Sequence, residues 1–440
     1  DDAFHLRMLR EQRETVSRLR RAAPAGGVSR LRGTITPGTP AVGALMTLNV
    51  ALSSCSNPVF RTGRVRSVGT RVIIIADTTN PSDGFTQADY EGLAETFDTL
   101  VYPAVTGSFG TPGDLDGNGR VIAFYTTAIN AMTPPSSNSY VGGLFHSRDL
   151  LGAAQCPTSN LGEMFYLLAP DPSGTINGNQ RSVAFVRRVT VSALGHEFQH
   201  LVNASRRLNA GYNLEQVWLN EGLSHVAEEL IFYQASGFAP GQNLSASSIS
   251  DPNDEDDFFE FMDSNFGRFR QWLMRPDTSG PFRDNPSTLA GRGSVWSFLR
   301  YAADRKGGSQ PALWNAFVAT ADTGMANLAN RLGTDVGPWF RDWAAATYLD
   351  DAVAGAGAAY TQPSWNFRSL YAAIDYTGDT VVDGFQLHTR HLANGVAEAF
   401  ALSRLGGAGY LRMAVAQNAF AGVTTTPPSG TLMVAVMRTK

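Results

Sequence analysis

The most constraining feature of the chain is a long helix predicted over residues 182 to 208, in which apolar side chains recur with a helical period. This helix carries His196 and His200, with Glu197 beside the first histidine. Residues four apart lie on the same helical face, so both imidazoles can bind one metal ion. Because imidazoles and a carboxylate are costly to bury without a partner, the pattern predicts a zinc site with Glu197 directed at the open position of the metal.

The third metal ligand is predicted on a second helix that begins near Leu214. Zinc that keeps a position for water usually has three protein ligands. The metzincin continuation is excluded, because Asn203 and Arg206 occupy its glycine and third-histidine positions. Glu221 follows the histidines by about 20 residues, in the context Asn-Glu-Gly, and is the candidate third ligand.

Two segments carry a resemblance to the gluzincin peptidases. The segment Trp218-Leu-Asn-Glu-Gly-Leu resembles the zinc-ligand segment of the aminopeptidase N family. His-Glu-Phe-Gln-His, together with Gly-Leu-Ser-His-Val-Ala-Glu-Glu, is most similar to the hyicolysin-type neutral metallopeptidases, over roughly residues 71 to 229. This resemblance implies zinc held by His196, His200 and Glu221, with Glu197 as the catalytic carboxylate.

The resemblance implies a secreted zinc endopeptidase that acts on protein or peptide substrates. No upstream aminopeptidase motif is recognised, so an endopeptidase is favoured. An aminopeptidase of the same zinc class and an inactive, peptidase-like binding protein stay open as alternatives.

Several side chains are candidates for supporting roles around the zinc. Tyr212 is a candidate for stabilising the oxyanion, as a tyrosine in the comparable segment does in thermolysin-like enzymes, and an ordinary packed aromatic is the alternative. Weaker candidates for the same role are His146, His388, Tyr371 and Tyr376.

His225 and Glu228 share the helical face of Glu221. We expect Glu228 to accept a hydrogen bond from a zinc-binding histidine, and His225 to be a pocket or supporting group. Thermolysin-like enzymes have a carboxylate at the place of His225, so this departure leaves the orientation of the first histidine unexplained.

A second candidate metal site is the turn that contains Asp114, Asp116 and Asn118, which resembles the first half of an EF-hand loop. Its twelfth position is Tyr125 rather than Glu, and a strand is predicted to follow, so an EF-hand is excluded. A calcium site and a self-hydrogen-bonded Asx turn are the two remaining interpretations.

The composition favours an exported globular protein. Charged residues make up 17% of the 440 residues and the net charge is −4, so a nucleic-acid surface is not indicated. The chain contains no run of eighteen apolar residues, so no membrane span is predicted.

Cys55 and Cys156 form either one disulfide or two buried thiols, and the expectation that the protein is exported favours the disulfide. The chain begins at Asp1 without a signal sequence, and we expect that any such sequence has been removed to give a secreted or periplasmic protein.

The chain as a whole predicts an α+β fold with a zincin-like catalytic domain, which combines a mixed sheet, active-site helices and a helical second lobe. The predicted divisions are residues 1–25, an N-terminal helix or propeptide remnant; 26–70, a β segment; 71–350, the catalytic domain, with a mixed-sheet lobe (71–209) and a helical lobe (210–350); and 351–440, a C-terminal all-β domain.

Buried strands are predicted near residues 72–75, 121–126 and 162–169. We expect the last of these to be the edge strand that pairs with an extended substrate. The first helix is highly charged and is interpreted as a solvated surface helix, or as a propeptide tail or strap.

Overall fold

The computed structural model describes residues 2–22, 38–53, 55–137, 139–282, 289–333, 335–374, 384–403, 406–426 and 432–439. These residues form a mixed α/β structure that is compatible with a zincin-like domain. The strands of its six-stranded sheet are β1 (Leu45–Asn49), β2 (Phe60–Val68), β3 (Val72–Asp77), β4 (Val121–Tyr125), β5 (Gly143–Phe145) and β6 (Met164–Leu167).

The sheet has the order β1-β2-β3-β4-β6-β5. Strands β3, β4 and β6 are parallel, whereas β1, β2 and β5 are each antiparallel to their neighbours. Every residue of β3, β4 and β6 is buried. Alternate side chains of these strands enter two separate hydrophobic clusters, one on each face of the sheet, which explains their continuous apolar sequences.

The helices of the described residues lie before, between and mostly after the strands of the sheet. They are α1 (Asp2–Ala22), α2 (Gln87–Thr96), α3 (Tyr102–Phe109), α4 (Thr127–Asn130), α5 (Val183–Asn209), α6 (Val217–Ser236), α7 (Pro252–Phe261), α8 (Asp263–Met274), α9 (Leu289–Lys306), α10 (Gln310–Val318), α11 (Gly324–Leu332), α12 (Val336–Leu349) and α13 (Phe367–Tyr371). A π-helical turn (Phe97–Val101) joins α2 to α3, and two short 3-10 helices complete the set.

Local capping explains where the principal helices begin and end. Thr86 and Asp89 form the expected capping box at the start of α2. Ser182 caps α5 by accepting a hydrogen bond from the backbone N–H of Phe185. Helix α6 ends at Gly237, whose φ of 75° is the left-handed conformation that favours glycine.

The predicted edge strand is wrong. Strand β6, which covers four of the eight residues 162 to 169, lies between β4 and β5 inside the sheet. The edge next to β6 is β5, only three residues long, for which no strand was predicted, and the opposite edge is β1. A strand this short carries too little periodicity to be distinguished from a loop.

The predicted all-β C-terminal domain is not confirmed. After α13, the described residues contain one parallel pair of two-residue strands, β7 (Arg390–His391) and β8 (Leu411–Arg412). Several apolar side chains in this part of the chain are exposed, with Val436 74% exposed and Val415 45% exposed. Alternation predicts a strand only where one face is buried, and that condition is not met here.

A disulfide joins Cys55 to Cys156, as predicted from the sequence. Their Cα atoms are 5.0 Å apart, although 101 positions separate them in the chain. The bond connects the loop after β1 to the loop before β6. In the same region the backbone N–H of Asn49 donates to Oδ1 of Asn160 over 2.8 Å.

Within the described part of the chain, no helix combines the length and the apolar character that crossing a bilayer requires.

Replacing Cys55 and Cys156 together by alanine should lower the free energy of unfolding by roughly 2–5 kcal/mol, because the disulfide closes a long loop in the unfolded chain. Denaturant unfolding of the double variant and of the oxidised wild type measures the difference. Reduced wild-type protein is the control and should resemble the variant. A double variant as stable as the oxidised protein would contradict the expectation.

Candidate metal centre

Three side chains predicted as zinc ligands converge between α5 and α6. The ligand atoms of His196, His200 and Glu221 all lie within 4.8 Å of one another. Nε2 of His200 is 3.3 Å from Oε1 of Glu221, and Nε2 of His196 is 3.7 Å from Oε2 of the same carboxylate. Two ligands of one tetrahedral zinc ion, each at 2.0–2.1 Å, lie about 3.4 Å apart. The spacing and the nitrogen and oxygen donors therefore fit a zinc ion.

Glu228 orients the first histidine. Nδ1 of His196 is 2.7 Å from Oε1 of Glu228, a distance at which the imidazole N–H donates to the carboxylate. That hydrogen bond leaves Nε2 of His196 facing Glu221 as an acceptor nitrogen. Glu228, three residues after His225, thus provides the carboxylate that orients the first histidine.

His225 is fully buried beside these carboxylates. Its Nδ1 lies 3.2 Å from Oε2 of Glu228, and its Nε2 lies 4.0 Å from Oε2 of Glu221. His225 and Glu228, which the sequence predicts to lie near the metal, therefore lie close to the three ligands. The ligand atoms of a second set, His196, His225 and Glu228, also lie within 4.8 Å of one another.

Burial and neighbouring charges set the protonation of this cluster. Burial, aided by the charges of the other two histidines, lowers the pKa of His196 to about 3, so its imidazole is neutral at ordinary pH. Burial opposes ionisation of Glu228, but attraction to His225 and hydrogen bonds from both histidines hold its pKa well below the usual range. A neutral imidazole beside an ionised carboxylate is the state in which histidine binds a metal.

Two arginines from the helical part of the chain also contact the carboxylates, and no sequence pattern indicated either of them. Nη1 of Arg292, on α9, is 3.1 Å from Oε2 of Glu221. Nη1 of Arg268, on α8, is 3.8 Å from Oε2 of Glu228. Arg292 is 7% exposed, so its charge acts on Glu221 with little screening by solvent.

Glu197 lies against the edge strand. A Cβ atom on Gly143 of β5 would be 2.8 Å from Cγ of Glu197 and 3.2 Å from its Oε1. Glycine at 143 therefore allows the strand to approach the carboxylate closely. The sequence offered a glycine here but no means of pairing it with Glu197.

The candidates for oxyanion stabilisation are scattered. His146 is buried, where it accepts a hydrogen bond from the Arg148 backbone N–H, and Tyr371 donates its hydroxyl to the Phe266 carbonyl oxygen. Both therefore have structural partners. His388 is exposed and Tyr376 lies outside the described residues. Tyr212 is half-buried in the turn after α5, and its role stays a prediction.

In the structure, the carboxylate of Glu163 joins the second candidate metal site, which the sequence placed at Asp114, Asp116 and Asn118. Ligand atoms of Asp114, Asp116 and Glu163 lie within 4.8 Å of one another. The carboxylate of Glu163 accepts a hydrogen bond from the Leu115 backbone N–H at 2.9 Å. Asn118 instead donates its amide to Asp116 over 2.6 Å. The Asn118 backbone N–H also donates to Oδ1 of Asp116 over 3.2 Å, which forms an Asx turn, and calcium binding stays a prediction.

Comparison with known proteins supports a metallopeptidase relationship. No protein-family profile matches the chain. The chain is similar to the neutral metalloprotease ShpI of Staphylococcus hyicus, with 33% identity over 148 residues. The alignment spans 33% of this chain and 31% of ShpI. The chain therefore matches about a third of the length of this relative.

Gly143→Ala should lower peptidase activity by about tenfold or more, because the new methyl group displaces Glu197 from its position; a misplacement of about 1 Å can cost 10²-fold. Gly142→Ala is the matched control, since its Cβ would meet only ordinary contacts at 3.5 Å and beyond. Cleavage rates and thermal unfolding of both variants test this. Equal loss in both variants would contradict a specific effect on Glu197.

Arg292→Ala should weaken zinc binding or activity about 10–100-fold, because it removes the cation that contacts the Glu221 carboxylate. Arg292→Lys keeps the positive charge and should lose less. Zinc affinity by competition with a chelator, together with cleavage rate, measures both variants. Wild-type values in a correctly folded Arg292→Ala protein would show that the contact has no influence on the site.

Proposed function

We propose that this chain is a secreted, zinc-dependent endopeptidase of the gluzincin class, related to the hyicolysin-type neutral metallopeptidases. One observation carries the proposal: the His196, His200 and Glu221 ligand atoms converge on one point, and Glu197 lies next to them against an open sheet edge. The similarity to ShpI supports the same class. The disulfide fits an oxidising compartment.

The chain's own residues supply the acid and base chemistry. When bound, the zinc ion would lower the pKa of a water molecule and polarise the scissile carbonyl group. Glu197 would take a proton from the attacking water and deliver it to the leaving amine. Glu228 and Arg292 would hold His196 and Glu221 in position during these steps. Tyr212 remains our candidate for stabilising the oxyanion.

Strand β5 is proposed to bind the substrate backbone. The Leu168 N–H donates to the Gly142 carbonyl oxygen, so in this antiparallel register residues 142 and 144 point their backbone groups at β6. Gly143 and Phe145 consequently point theirs at the open edge. An extended peptide can add there as a further strand, with its scissile bond near Glu197.

Two alternatives predict different behaviour. An aminopeptidase of the same zinc class would require a free N-terminus, so blocked peptides would resist cleavage. A peptidase-like binding protein would bind zinc and peptide without cleaving.

Glu197→Gln should lower casein cleavage by about 10²–10⁴-fold while zinc content stays equal to that of the wild type, because the variant loses the base but none of the three ligands. Metal analysis and a casein assay measure the two properties. The assay should include an N-terminally blocked peptide, which an endopeptidase cleaves. A variant with full zinc and full activity would contradict the mechanism, and a wild type that binds no zinc would contradict the proposed function.

A further inference from the structure

Helix α1 packs on the protein through one narrow face. Its buried side chains recur at helical spacing and are Met8, Leu9, Gln12, Thr15 and Val16. Among residues 7–21 the exposed side chains are charged, and they include Glu11 and Glu14. Within residues 7–21 the buried apolar side chains are Met8, Leu9 and Val16, and Leu19 packs partly buried against the core.

The side chain of Gln12 occupies backbone groups at the open sheet edge. Its Oε1 accepts a hydrogen bond from the Ser147 backbone N–H over 2.7 Å, and its Nε2 donates to the Phe145 carbonyl oxygen over 3.4 Å. A carboxamide presents the same donor and acceptor as a peptide group. Gln12 therefore makes the hydrogen bonds that a substrate strand would make at the same end of β5.

The contact of α1 extends to the metal centre. Leu9, Gln12 and Arg13 enclose a cavity together with His200 and Asn220. The cavity has a volume of only about 20 Å³, which is near the space that one water molecule needs. At the other end of the helix, Nη1 of Arg20 donates to Oδ1 of Asn213, in the loop between α5 and α6. Helix α1 therefore fills the groove lined by Phe145, His200 and Asn220, so a peptide strand added to β5 would meet α1 there.

We propose that α1 is an intramolecular inhibitor that competes with peptides for the open edge of β5. The inference rests on the proposed function, because it treats this groove as the substrate groove. The apparent affinity for a peptide is then the intrinsic affinity reduced by the fraction of molecules in which α1 is displaced. Substitutions that weaken the packing of α1 raise that fraction and therefore the apparent affinity for the peptide. The chain need not be cleaved for this increase in affinity.

The test measures binding of a non-hydrolysable hexa-alanine peptide, whose central peptide bond is replaced by a phosphinate, to the zinc-loaded full chain. The double variant Leu9→Ala, Gln12→Ala should bind this peptide at least tenfold more tightly than the wild type. Glu11→Ala changes an exposed neighbour on the same helix and should leave the affinity unchanged. Equal or weaker binding by the double variant, with normal zinc content, would overturn the proposal.

Hydrogen exchange of the unaltered chain provides a second measurement that needs no substitution. Adding the phosphinate peptide to the wild type should increase amide exchange in residues 7–22 as α1 is displaced. Unchanged or slower exchange in a peptide-saturated protein would overturn the proposal. The zinc assay separates the two failures: a chain without zinc contradicts the proposed function, whereas a zinc-loaded chain that retains α1 on saturation contradicts only inhibition.

Discussion

Two carboxylates, Glu221 and Glu228, are buried between α5 and α6, and the charges that compensate them come from distant parts of the chain. A carboxylate removed from water costs several kcal/mol unless charges and hydrogen bonds compensate it. Glu228 is compensated by His196 and His225, which lie on the two helices themselves. Arg268 and Arg292 come from α8 and α9, so the helical part of the chain must dock before both carboxylates are neutralised. Folding of the helical part and assembly of the metal centre are thereby coupled.

The two active-site helices are also fixed at their connection. Nδ2 of Asn203 on α5 donates to Oδ1 of Asn220 on α6, immediately before Glu221. Arg207 is buried, and its guanidinium bonds Glu215 at 2.6 Å and the Phe317 carbonyl oxygen at 3.0 Å. These hydrogen bonds set the register in which Glu221 faces the histidines. They also connect the short loop between the helices to α10, which limits how far either helix can slide.

The parts of the site that sequence could predict are those determined by local spacing. The four-residue interval of His196 and His200, and the face shared by Glu221 and Glu228, follow from helix geometry alone. The contacts of Gly143 and Arg292 depend on how distant elements pack, and neither position has a local pattern that indicates its partner. In the sheet, the apolar runs of β3, β4 and β6 were predictable, whereas their order was not, because one sequence pattern suits any fully buried strand. The residues around Leu411 form only the two-residue strand β8, and periodicity does not show that a second layer covers a strand.

The open edge of β5 explains why a polar helix is bound to this groove. An edge strand presents unpaired backbone groups, and proteins commonly cover such edges or keep them short. A helix can satisfy such groups only through its side chains, and α1 does so at Phe145 and Ser147 with the single amide of Gln12. A peptide strand pairs with the outward groups of Gly143 as well, and it gains a further hydrogen bond with each additional residue that reaches the edge. On the proposed inhibition, longer peptides would therefore compete with α1 more effectively than short fragments.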